Sequence, residues 1–237
     1  MTTSLDSRAE ERKALARRLN WLRAGVLGAN DGIVSTAGIV MGVAGATVES
    51  GPILIAGVAA LVAGSISMAG GEYASVSAQR DSEIAALAKE RKELKENPEG
   101  ELLELTEYYR NRGISEALSI QIAKELSATD PVRAHAEGEL GIASDEHVSP
   151  RAAAVASFIA FALGSMLPIV AIAGPWVDYR EIATVASVVV ALALTGFFGA
   201  KIGRAKPLRA VVRNVVVSLL TMGIAFAIGS VLGVAVA

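Results

Sequence analysis

Five stretches of this chain carry almost no charge, and each is about as long as a bilayer is thick. They are residues 24–48, interrupted only by Asp31, then 50–71, 152–177, 182–200 and 214–237. A helix needs roughly 20 predominantly apolar residues to cross a hydrocarbon core. Within lipid a helix satisfies its own backbone hydrogen bonds. The expected fold is therefore all-α: a polytopic membrane protein with five transmembrane helices and a small cytoplasmic three-helix insert between spans two and three. A charged leader, Asp31 and the lack of a small-residue cleavage site argue against reading the first stretch as a signal peptide.

Charge is distributed to match. Arg8, Arg12, Lys13, Arg17, Arg18 and Arg23 precede the first span, and Lys201, Arg204, Lys206, Arg209 and Arg213 occupy one later loop. By the positive-inside rule both belong in the cytoplasm, which leaves the C-terminus outside, in a protein of the plasma (inner) membrane. Residues 72–149 hold 17 of the 24 acidic residues and 9 of the 22 basic ones, a local charge of −8. Such a segment repels nucleic acid and suits cations. The expected division is a basic amphipathic leader (1–23), spans one and two (24–71), an acidic helical insert (72–149) and spans three to five (150–237). With no cysteine, thiolate sites and disulfides are excluded. Trp176 and Tyr179 are expected as anchors at the membrane interface.

Inside the insert, ENPEG (96–100) breaks a polar continuation of the second span. A helix follows, with Leu102, Leu105 and Tyr109 on one face and Gly113 as its C-cap. Ser115 is expected to cap the next helix, and Asp130 with Pro131 to open a third.

Several residues could carry chemistry. Asp31 is an ionisable residue within a span, a functional candidate by default; it could also be a buried carboxylate bonded to Asn30 or a nearby hydroxyl. At 100° per residue it shares a face with Ser35, Gly38, Gly42 and Gly45, and small residues four apart favour close helix contact. An ion path along a first-span contact between two subunits is the expectation. Met68, on a face with Gly57, Ala60, Gly64 and Gly71, is a soft donor suited to late divalent metals, or simply a packed side chain. Glu101, Glu104 and Glu107 stand at i, i+3 and i+6, followed by Glu116, Glu125, Glu137 and Glu139. They could share a cation or form a solvated acidic face. Of the two histidines, His135 and His147, the first is eligible as a ligand, although a lone histidine more often is not one. No nucleophile–base set marks an enzyme.

The sequences ANDGIVSTAGIVMGVAGA (29–46) and AGSISMAGGEYASVSAQRDSE (63–83) resemble the vacuolar iron transporter family, which includes the yeast vacuolar iron and manganese carrier. ELGI (139–142) and SPRAAAVASFIAFALGSMLPIV (149–170) extend the likeness to nearly the whole chain beyond the leader. The resemblance implies a homodimer whose first spans line a path exchanging Fe²⁺, and often Mn²⁺, for protons. It implies a membrane site at Asp31 and Met68 and metal-gathering glutamates at Glu104, Glu107 and Glu139. Glu101, Glu116 and Glu137 are further candidates. Plant members carry a glutamate two turns before the methionine, where this chain has Ala60, and His135 falls where some members place a methionine. The expected substrates are Fe²⁺ or Mn²⁺ and protons, in lipid, with no prosthetic group. A metal-binding or metal-sensing membrane protein without transport is the alternative.

Overall fold

The computed structural model describes residues 25–142, 149–203 and 205–236; the leader, His147 and Arg204 lie outside them. The elements are α1 (Gly25–Ala46), α2 (Ser50–Glu96), α3 (Pro98–Asn111), α4 (Glu116–Thr129), α5 (Pro131–Gly138), α6 (Pro150–Ile172), a 3₁₀ turn (Val177–Tyr179), α7 (Arg180–Ile202) and α8 (Pro207–Val236). Among the described residues five helices are long and apolar enough to cross a membrane: α1, α2, α6, α7 and α8. The all-α, five-span expectation holds.

The chain forms two compact units, one ending at Ala74 and resuming at Ser149, the other Ser75–Val148. In the first unit α1 supplies half of the apolar core. Ile33, Ala37, Val40, Met41 and Ala44 meet Ile53 of α2, Ile172 of α6, Val188 and Leu192 of α7 and Met222 of α8. Hydroxyls add directional links where lipid offers no partners. Thr36 Oγ1 donates to Ser165 Oγ at 2.9 Å, Ser165 Oγ donates to the Gly32 carbonyl at 3.2 Å, and Thr195 Oγ1 donates to Asn30 Oδ1 at 2.5 Å.

The glycine stripe of α1 is occupied within the chain, contrary to the expected subunit contact. A methyl group on Gly38 would meet Thr221 Cγ2 at 3.0 Å, and one on Gly42 would meet the Ala225 carbonyl oxygen at 3.4 Å. Gly45 abuts Phe226 and Ser230 in the same way. From α8, a methyl group on Gly229 would fall on the Gly42 carbonyl oxygen. The paired numbers rise together, so α1 and α8 run in the same direction. Two small-residue ridges at four-residue spacing let the backbones close up, which consumes the surface that the motif seemed to offer a second copy.

At the end of this unit where α1 turns into α2, Arg180 is only 4% exposed. Its guanidinium donates to the Val48 carbonyl (2.8 Å), Ser50 Oγ (3.3 Å) and Glu181 Oε1 (3.2 Å). A planar fork of donors can serve three acceptors at once, so one side chain ties the 47–49 connection to α7. Trp176 Nε1 donates to the Ala171 carbonyl at 2.8 Å, while Tyr179 stays exposed.

In the second unit the expected breaks are present. Asn97 alone separates α2 from α3, and its side chain accepts from the Gly100 amide at 3.1 Å. Pro98 takes the first helical position, where its missing N–H costs nothing. Gly113 follows α3 at φ +86°, a conformation that glycine enters freely. Asp130 caps α5 by accepting from the Arg133 amide at 3.1 Å. Ser115 occupies the N-cap position of α4 without a side-chain cap bond. Leu105, Ala123 and Ala134, backed by Leu102 and Tyr109, form the small core on which α3, α4 and α5 meet.

Candidate metal centre

The same unit buries a cluster of polar side chains. His135 lies mid-way along α5 between buried Ala134 and Ala136, and is itself 0% exposed. Around its Nδ1 stand Glu90 Oε1 of α2 at 3.0 Å, Glu139 Oε1 at 3.3 Å and Glu101 Oε2 of α3 at 3.7 Å. Each residue arrives by a local rule. The one-residue hinge at Asn97 folds α3 back, so that Glu90 and Glu101 face each other across it. The capped start of α5 sets His135 and Glu139 four apart on one face.

Glu90 Oε1 and His135 Nδ1 lie close without an aligned hydrogen bond between them. Glu90 Oε1, Glu139 Oε1 and both imidazole nitrogens are buried and without a hydrogen-bond partner. At 3.0 Å the Glu90 oxygen is near enough for a bond, yet the ring N–H is not aligned with it. A buried polar atom left unpaired costs about 1–3 kcal/mol, and such atoms are rare singly. Four in one cluster mark a place where donor atoms converge. One ligand atom from each of Glu90, His135 and Glu139 lies within 4.8 Å of the others, a spacing suited to a metal ion.

Electrostatics agree. Burial pushes the Glu101 carboxyl above the ordinary carboxylate range; the charge of Glu90, a hydrogen bond shared with it and the charge of Glu104 push the same way, and His135 opposes them. Burial likewise raises Glu139, against the attraction of His135 and with Glu104 and Glu101 reinforcing the rise. Negative groups crowded out of water hold protons, and a divalent cation is the natural replacement.

Of the residues singled out from sequence, Glu101, His135 and Glu139 enter this cluster. Glu104 is exposed but near enough for its charge to be felt there. Glu107 is exposed and pairs with Arg110 at 3.3 Å, Glu137 is exposed and pairs with Arg133 at 2.8 Å, and Glu116 sits exposed in the first turn of α4. These three are not brought into the cluster. Glu90 was missed, because within AKERKELKE nothing distinguishes it from a solvated helix face. His135 carried the only available signal, a histidine four residues before a glutamate.

In the membrane unit Asp31 is exposed on α1, as are Leu27 one turn before it and Ile39 about two turns after it. Neither proposed local partner takes its carboxylate: Asn30 accepts from Thr195, and Ser35 donates to the main-chain carbonyl of Asp31. Met68 is half-buried on α2.

A five-span helical membrane protein carrying a separate acidic unit with a histidine–glutamate cluster is thus the class that fold and site define. The VIT family model matches residues 22–230. The chain is 42% identical over 223 residues to a vacuolar iron transporter of Acanthamoeba castellanii, covering 93% of this chain and 82% of that one. It is 38% identical to vacuolar iron transporter homolog 5 of Oryza sativa subsp. japonica (90% and 80% covered) and 33% identical to vacuolar iron transporter homolog 1 of Arabidopsis thaliana (97% and 93%). The chain belongs to the VIT family.

Proposed function

We propose that this chain moves Fe²⁺, with Mn²⁺ as an alternative cargo, out of the cytoplasm in exchange for protons. The observation that carries the reading is the convergence of unpartnered Glu90, His135 and Glu139 atoms in a membrane protein of this family. The insert gathers the ion, with Glu101 completing the pocket and Glu104 contributing charge at its rim. Glu107, Glu116 and Glu137 supply a general acidic surface. Asp31 offers an oxygen donor and proton site in the membrane unit, and Met68 a thioether that late divalent ions accept more readily than Ca²⁺ or Mg²⁺ do. Metal and protons are substrates, and no prosthetic group is needed. We place the insert in the cytoplasm and the C-terminus outside the plasma membrane by the basic loops.

A carboxylate facing lipid is costly. The exposed side of α1 around Asp31 is therefore the surface on which a second copy would form a homodimer and enclose the path, in place of the glycine stripe that α8 occupies. Flux of Fe²⁺ and Mn²⁺ into sealed proteoliposomes, with and without an imposed proton gradient, tests the reading. Gradient-dependent uptake is expected. Metal binding without flux would favour the sensing alternative.

A further inference from the structure

The pocket of the second unit contains one donor that is not oxygen. Carboxylates alone take Mg²⁺ and Ca²⁺, which prefer six or more oxygen ligands and retained water. An imidazole nitrogen shifts preference toward the later first-row ions, among which affinity climbs from Mn²⁺ through Fe²⁺ to Co²⁺. Resting on the metal reading above, we infer that His135 is the specificity-determining residue of this centre. It binds the ion through Nδ1 and selects Fe²⁺- and Co²⁺-like cations over Mn²⁺, Mg²⁺ and Ca²⁺.

The geometry supports this over two simpler roles. A protonated His135 acting as an ion-pair partner would aim its N–H at one of the three oxygens that lie 3.0–3.7 Å away. It is not aligned with the nearest of them, Glu90 Oε1, and Nδ1 has no well-formed hydrogen bond. A histidine that merely packs would sit among apolar side chains with its nitrogens bonded to backbone or water, whereas the Nδ1 edge of this ring faces three carboxylates. Its direction is also fixed, because the residue is wholly buried within α5, whose start is capped by Asp130. A rigid, buried nitrogen among glutamates gives discrimination that a mobile surface histidine would not.

The test uses full-length, metal-free protein in detergent, with Asp31→Asn and Met68→Leu removing the membrane donors. Competition titrations of Co²⁺ against Mn²⁺ give the selectivity, and pulsed EPR of the Mn²⁺-loaded protein reports nitrogen coupling to the ion. The expected result is at least about 10-fold preference for Co²⁺ over Mn²⁺, in keeping with an imidazole ligand, and a nitrogen signal. In His135→Gln the preference should collapse and the nitrogen signal disappear while some Mn²⁺ binding remains; His147→Gln should keep both. His135→Leu, which fills the same space without a donor, gives a second reading if the glutamine variant is poorly folded. If the His135 variants keep the Co²⁺ preference while Glu90→Gln abolishes binding, the selectivity inference is overturned and the metal centre stands. If binding survives unchanged in Glu90→Gln and in both His135 variants, the centre itself is misassigned.

Discussion

His135 Nδ1 lies 3.0 Å from Glu90 Oε1, yet the ring N–H does not point at that oxygen, and both atoms are buried without a partner. One residue comes from the last turns of a 47-residue helix and the other from an eight-residue helix 45 positions on. Removing either side of the pair should therefore act on ion binding before it acts on fold. Glu90→Gln keeps the shape and loses the charge. It should weaken metal binding by the purified protein by at least about 10-fold, the scale on which ligand surroundings alone act. Calorimetry on the full chain checks this.

The raised carboxyls of Glu101 and Glu139 set a pH dependence. Each holds its proton more tightly in the folded unit than at the ordinary value of 4.5. Their contribution to stability is fully present below that ordinary value and is lost as pH rises through the folded values, because the unfolded chain then binds fewer protons than the folded one. Without metal, hydrogen-exchange protection of α3 and α5 should thus fall as pH rises above 4.5. Metal binding expels those protons, so affinity should climb over the same window and bound ion should restore protection. Exchange measured at several pH values, with and without Mn²⁺, tests both signs.

The seam between α1 and α8 predicts a crosslink within one chain. The Cβ built at Gly42 lies 3.5 Å from Ala225 Cβ, within the range that a disulfide bridges. In a chain without cysteine, Gly42→Cys with Ala225→Cys should oxidise to an intramolecular bond, seen as faster migration on a non-reducing gel and confirmed by mass spectrometry. Crosslinked dimers from this pair would overturn the packing described. Gly229→Ala places a methyl group on the Gly42 carbonyl and should destabilise by about 1–3 kcal/mol, the usual cost of overpacking.

Asp31→Asn should abolish metal flux in proteoliposomes while the protein stays folded, since only the charge changes. Full flux from that variant would remove Asp31 from the transport path.

Arg180→Lys tests the tie between the 47–49 connection and α7. Lysine retains the charge but not the fork that reaches Val48, Ser50 and Glu181 together. Hydrogen bonds to a charged donor contribute about 1.5–3 kcal/mol each, so a clear drop in melting temperature is expected, with Arg180→Ala lower still. Unchanged melting would mean that the tie contributes little.

The amino-acid sequence by itself determined the five spans, because hydrophobic length is a local property and lipid permits few other structures. It also determined the helix boundaries in the insert at Asn97, Gly113 and Asp130, where one or two residues dictate the backbone. It placed Glu101 and Glu139 among the candidate ligands. Tertiary structure alone decided which carboxylates meet. Glu90 and Glu107 look alike along the chain, but the Asn97 hinge buries the first against His135 and leaves the second in solvent with Arg110. It alone decided, too, that α8 takes the Gly38, Gly42 and Gly45 stripe while Asp31 on the same nominal face stays open. Periodicity names a face of a helix, but the neighbour that covers it is chosen by steric fit between segments nearly 200 residues apart.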